Sequence, residues 1–99
     1  IRLDTGNSSA TANHCFNNGG TEPGAGIRAV SAACRIDSNQ VTDNDFGIVA
    51  VADCIVVRNS ARANASGNYS FPFGSEYAQI ITNPGNAFVA TNPWANFAY

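Results

Sequence analysis

Three cysteines, Cys15, Cys34 and Cys54, stand in a chain of 99 residues, and whichever pair joins, one thiol is left over. At this length a single core buries roughly 60 to 65% of the unfolded surface, so one covalent staple would matter to stability. The chain reads as one domain over residues 1–99. Closing a loop from Cys15 to Cys54 would stabilise the fold by about 4 kcal/mol in the chain-entropy model, and one from Cys34 to Cys54 by about 3. That difference does not choose between them. The spacings fit no compact zinc pattern, and neither a metal nor a cofactor is expected.

Apolar residues make up 44% of the chain, but many are alanine. The candidate core therefore rests on Ile1, Leu3, Val41, Phe46, Ile48, Val49, Val51, Ile55 to Val57, Tyr77, Ile80, Ile81 and Phe88. Charged residues are sparse at 12%, with a net charge of −2. Five arginines, no lysine and no basic run offer little to a phosphate backbone, so nucleic acid is not an expected partner. No apolar run reaches the roughly 20 residues that a membrane helix needs, and "FGIVAVADCIVV" is broken by Asp53. The absence of methionine and the start at Ile1 read as a processed secretory product or a fragment. The sequons at Asn7, Asn64 and Asn68 agree with secretion and are the glycosylation candidates.

Along the chain, residues 10–16 read as a strand stopped by "NNGG". In "GIRAVSAACRIDS", Ile27, Val30 and Cys34 fall at i, i+3 and i+7, the stripe of an amphipathic helix that ends at about Ile36. Residues 40–58 are rich in β-branched side chains and read as a hairpin, turning at 43–45 or 52–53. Residues 59–70 read as a polar loop. Phe73, Tyr77, Ile80 and Ile81 return to helical spacing before Asn83-Pro84-Gly85, and "NAFVAT" supplies a last strand. No repeat is evident. The order strand, helix, strand, strand, helix, strand predicts an α+β fold, βαββαβ, of the ferredoxin-like split βαβ plan: a four-stranded antiparallel sheet with two helices packed on one face.

Catalysis would have to be built from His14, Glu22, Asp37, Glu76 and the arginines, the parts of a small ribonuclease-like hydrolase. No spacing sets a carboxylate beside His14, and the single histidine does not form a nucleophile pair with Cys15, because a strand sends adjacent side chains to opposite faces. The expectation is a non-enzyme. The aromatic residues Phe71, Phe73, Trp94, Phe97 and Tyr99 would serve a carbohydrate-binding platform or cover the core edge.

The stretch "NNGGTEPGAGIRAVSAACRIDS", Cys54 at the start of a strand, and "FGSEYAQII" with Phe73, Ser75 and Tyr77 together resemble the smut-fungus killer-toxin family over about residues 13–82. The resemblance implies the same two-helix antiparallel fold and a secreted fungal toxin or plant-pathogen effector without a catalytic site. Such a protein would act as a monomer by binding a host or competitor protein or glycan. It also implies that Cys34 faces the position of Ile80, where the family has a cysteine, and so stays a buried free thiol. Cys15 and Cys54 would then form the one disulfide.

Overall fold

The computed structural model describes residues 1–19, 24–72, 74–82 and 91–99. Its elements are short strands wound in successive coils. The first coil holds β1 (Arg2–Leu3), β2 (Ser9–Thr11) and β3 (His14–Phe16), and the second holds β4 (Ala25–Ala29), β5 (Arg35–Asp37) and β6 (Gln40–Thr42). The third holds β7 (Phe46–Ala50), β8 (Ile55–Val57) and β9 (Ser60–Arg62). The last part of the chain adds β10 (Gly67–Ser70), β11 (Glu76–Tyr77), β12 (Ile80–Thr82) and β13 (Asn96–Ala98).

Equivalent strands of successive coils pair in parallel, giving three sheets: β1-β4-β7-β10, β2-β5-β8-β11 and β3-β6-β9-β13-β12. This is a three-sided parallel β-solenoid, in which each coil buries its inner face by stacking on its neighbours. The third sheet departs from strict coil order. Strand β13 lies between β9 and β12, so the C-terminal segment fills the fourth position of that sheet.

What bends the chain into coils is a corner of constant chemistry. Each described corner of the first three coils has one non-glycine residue at positive φ followed by an inward polar or thiol side chain: Asn7, Ala33 and Asp53 precede Ser8, Cys34 and Cys54. Ala12, Ser38 and Arg58 precede Asn13, Asn39 and Asn59, and Asn17, Asp43 and Ala63 precede Asn18, Asn44 and Asn64. The left-handed conformation costs roughly 1 kcal/mol at each such residue, and the asparagines offset it. Thus Asn13 donates its backbone and side-chain N–H to Asn39 Oδ1 (2.9 and 3.0 Å), Asn39 does so to Asn59 (2.9 Å each), and Asn59 to Asn96 (3.0 and 3.1 Å). A second ladder runs from Asn18 through Asn44 and Asn64 to Asn68. Every buried side-chain nitrogen or oxygen among the described residues has a partner.

The sequence therefore repeats after all, as Ser8-x4-Asn13-x4-Asn18, Cys34-x4-Asn39-x4-Asn44 and Cys54-x4-Asn59-x4-Asn64. Inside, Ile27 stacks on Ile48, Ala29 on Ala50, Ile36 on Val56 and Val41 on Ala61, all fully buried. Tyr69 continues the Ile27 and Ile48 row at the far end, with its hydroxyl in hydrogen-bonding reach of the Asn59 and Phe97 carbonyls; burial holds that phenol well above its usual pKa.

The expected α+β fold is overturned, since no described residue is helical and the strands pair in parallel throughout the described residues. The helical stripe at Ile27, Val30 and Cys34 is a coincidence of spacing. Ile27 points inward from a strand, Val30 has left the strand and is 37% exposed, and Cys34 closes the next corner. The second expected helix is instead β11 and β12 where described. The expected hairpin over 40–58 is not formed: the chain turns at both Asp43 and Asp53, and the three strands it holds, β6, β7 and β8, lie one in each sheet and never pair with one another. Strand 10–16 is cut at Ala12 into β2 and β3, and the expected polar loop 59–70 contains β9 and β10. Of the expected core, Ile1, Ile55 and Tyr77 are exposed; Phe88, the "NAFVAT" strand and the stop at 83–85 lie outside the described residues.

Candidate binding face

Strands β3, β6 and β9 of the third sheet each begin just after a ladder asparagine, which fixes the inward residue. Cys15, Val41 and Ala61 point in and are buried, so their neighbours must point out. The register then sets the outer face in two columns. One runs His14, Gln40, Ser60, Phe97, Ile81; the other runs Phe16, Thr42, Arg62 and ends at Tyr99, whose N–H bonds Ala61. With coils about 4.8 Å apart, the second column is about 15 Å long.

The two aromatic ends of that column are presented outward. Phe16 is 60% exposed with the His14 ring 6.5 Å away, and Tyr99 is 43% exposed with the Arg62 guanidinium 5.7 Å from its ring centre. The cation over the ring orders both side chains at the surface. The face is flat, carries hydroxyl, amide and guanidinium groups between two rings, and the described surface holds no pocket.

A different cluster lies on the second sheet. Asp37 is almost wholly buried between Arg35 (2.9 Å) and Arg58, and the Arg58 guanidinium sits 4.9 Å from the Trp94 ring centre. Hydrogen bonds from Arg58 hold the Asp37 carboxyl far below the usual range, against the opposing effect of burial. This arrangement ties the second, third and last coils together. It leaves Asp37 no freedom to act as an acid or base.

The residues of the hydrolase expectation are not assembled. His14 is on the third sheet, Asp37 is locked on the second, and Glu76 lies on the outer edge of the second at the other end; Glu22 lies outside the described residues. Among the described residues no three His, Cys, Asp or Glu side chains converge as metal ligands.

All three cysteines are buried thiols, and the expected Cys15–Cys54 bridge is not formed. Cys15 points inward from β3, whereas Cys54 sits at the corner before β8, on another side of the solenoid. The residue stacked against Cys54 is Cys34, and both sulfurs reach the Ser31 carbonyl oxygen at 3.4 and 3.3 Å. Cys34 thus faces Cys54 and not Ile80, which belongs to the third sheet. Burial raises the pKa of the Cys15 and Cys54 thiols.

The sequons divide as well. Asn7 is exposed at a turn, while the buried Asn64 donates to the Val41 carbonyl and to Asn68 Oδ1, which uses the side chains of both remaining candidates.

Of the five aromatic residues read from sequence as a platform, Phe97 and Tyr99 lie on the third-sheet face. Trp94 covers Arg58, Phe71 stacks on Tyr77 at 4.5 Å beside the core, and Phe73 lies outside the described residues. Sequence reading missed Phe16, Gln40, Thr42 and Arg62. The signal was available: counting one and three residues on from each of Asn13, Asn39 and Asn59 finds the outward positions.

The chain matches no protein-family model, and neither a characterised protein nor a solved structure is detectably similar to it.

Proposed function

We propose that this chain is a non-catalytic binding module that holds an extended glycan along the outer face of its third sheet. The observation that carries the reading is the column Phe16, Thr42, Arg62, Tyr99, with two exposed rings separated by hydrogen-bonding side chains on a rigid, flat surface. Rings present an apolar plane to a sugar face, and the polar groups between them supply directional bonds. The ladder supports this use, because backbone held by buried amide networks keeps the column in place without ligand. A secreted effector acting on a host or competitor surface would act through the same contact. The antiparallel fold implied by the killer-toxin resemblance gives this reading no support.

A glycan array followed by titration of the best binder tests the reading. Phe16→Ala and Tyr99→Ala, both at exposed positions, should each weaken binding at least about tenfold, the loss of roughly 1.4 kcal/mol, with the melting temperature preserved. Retention of no glycan, or binding indifferent to both substitutions, would overturn it.

A further inference from the structure

Within the solenoid, each coil donates backbone N–H groups to the coil before it. Arg28, Arg35 and Gln40 donate to the carbonyls of Ile1, Ser8 and Asn13, and Phe46, Ile55 and Ser60 donate to those of Gly24, Cys34 and Asn39. By register, the first-coil equivalents of Arg28, Arg35 and Gln40 are Arg2, Ser9 and His14. Strands β1, β2 and β3 each end their sheet, so among the described residues these three N–H groups have no strand to receive them.

The ladders leave matching acceptors on the same surface. Asn39 and Asn44 each take two N–H donors on Oδ1 from the preceding coil, but no described residue donates to Oδ1 of Asn13 or Asn18. The inner layer agrees. Leu3, Ala10 and Cys15 keep 8, 3 and 6% exposure, while Ala29, Ile36 and Val41 directly above them keep none.

At the opposite end, where β10, β11 and β12 end their sheets, the first ladder is closed. Asn96 donates its backbone N–H to Gln79 and its side-chain amide to Val56 and Ala78, so the ladder terminates on carbonyls of the same chain. A second copy stacked head to tail would therefore bring no ladder donors to Asn13.

We propose that the first-coil end is an elongation surface that receives one further parallel coil of the Ser/Cys-x4-Asn-x4-Asn repeat, joined in line ahead of Ile1. Its strands would accept from the N–H groups of Arg2, Ser9 and His14, and its two asparagines would donate to Asn13 and Asn18. An open row of parallel strand edges is a template for pairing, and the ladder polarity specifies what pairs.

The test joins a copy of residues 46–68 directly ahead of Ile1, which sets the added coil in the register that β7 has with β10. Hydrogen exchange at Arg2, Ser9 and His14 should slow at least about tenfold, and the melting temperature should rise by about 5 °C. A second version with Asn59→Ala and Asn64→Ala made only in the added copy leaves the parent fold untouched and should lose most of that protection. Unchanged exchange at the three amides would overturn the proposal. So would concentration-dependent protection of the same amides in the unextended chain, which would make this end a self-association surface.

Discussion

The Oδ1 atom of Asn59 accepts both the backbone N–H and the side-chain N–H of Asn39, each at 2.9 Å. Asn59 in turn donates to the Ile36 and Val57 carbonyls and to Asn96. Removing it leaves several buried groups without partners at once, each costing about 1–3 kcal/mol. Asn59→Ala should therefore destabilise the fold by about 3 kcal/mol or more in urea unfolding. Asn18→Ala, at the exposed end of the other ladder, should cost less than about 1 kcal/mol.

Gly47 carries a requirement of a different kind. A Cβ placed there would lie 2.9 Å from Asn64 Nδ2 and would overlap the Asn68 carbonyl oxygen, which is backbone and cannot swing aside. Gly47→Ala should cost about 2–3 kcal/mol, as overpacking in a tight core does. Gly74 has open space around it and a φ of +80°, so Gly74→Ala should cost about 1 kcal/mol through backbone strain alone. Thermal unfolding of the two variants side by side checks the ranking.

These two features explain what the sequence disclosed and what it hid. Breaks at Asn17-Asn18, Asp43-Asn44 and Ala52-Asp53 are legible as turn chemistry, and the structure turns at each. What local periodicity does not contain is the partner of each strand. Ile27 and Ala29 alternate as a strand should, but over two positions that is indistinguishable from the start of a helical stripe ending at Cys34. The long-range signal was the pairing of Cys34 with Cys54, Asn39 with Asn59 and Asn44 with Asn64, each at one interval, of 20 residues in the asparagine ladders. The longer first coil, with a ladder interval of 26, and the substitution of Asn96 from the C-terminal segment mask that period at both ends. The binding face inherited the error, because its residues become neighbours only through the coil register.

Asp37 predicts how acid acts on the fold. Its pKa is depressed in the folded state, chiefly by hydrogen bonds from Arg58; the unfolded chain therefore binds the proton first. The stabilisation is complete above the ordinary carboxylate value of about 4 and is lost progressively as pH falls below it toward the lower folded value. Asp37→Asn should flatten the dependence of unfolding free energy on pH below about 4. Because Arg58 also covers Trp94, the one tryptophan, Arg58→Ala should change tryptophan emission at neutral pH while the far-ultraviolet strand signal persists.

Glycan addition should separate the three sequons. The Asn64 amide nitrogen already donates to Val41 and Asn68, and a sugar on it would break the second ladder. Expression in a glycosylating host should give folded protein occupied at Asn7 and empty at Asn64, read by peptide mass mapping. Folded material carrying a sugar on Asn64 would contradict the ladder as described.

The thiols provide the closing test of the coil arrangement. Cys15, Cys34 and Cys54 are 6, 1 and 0% exposed, and burial disfavours the reactive thiolate at Cys15 and Cys54. Native protein should resist alkylation at neutral pH and take three equivalents once unfolded. Under a small-molecule disulfide oxidant, two thiols give up two protons and two electrons to form one bond, and the reagent is reduced to two thiols. Only Cys34 and Cys54 lie on adjacent coils at the same corner, where strands about 4.8 Å apart fall inside the Cα window of roughly 4.4–6.8 Å for a disulfide. Peptide mapping should return Cys34–Cys54 with Cys15 free. A Cys15–Cys54 peptide would require the third sheet and the first corner to touch, which a solenoid of this register forbids.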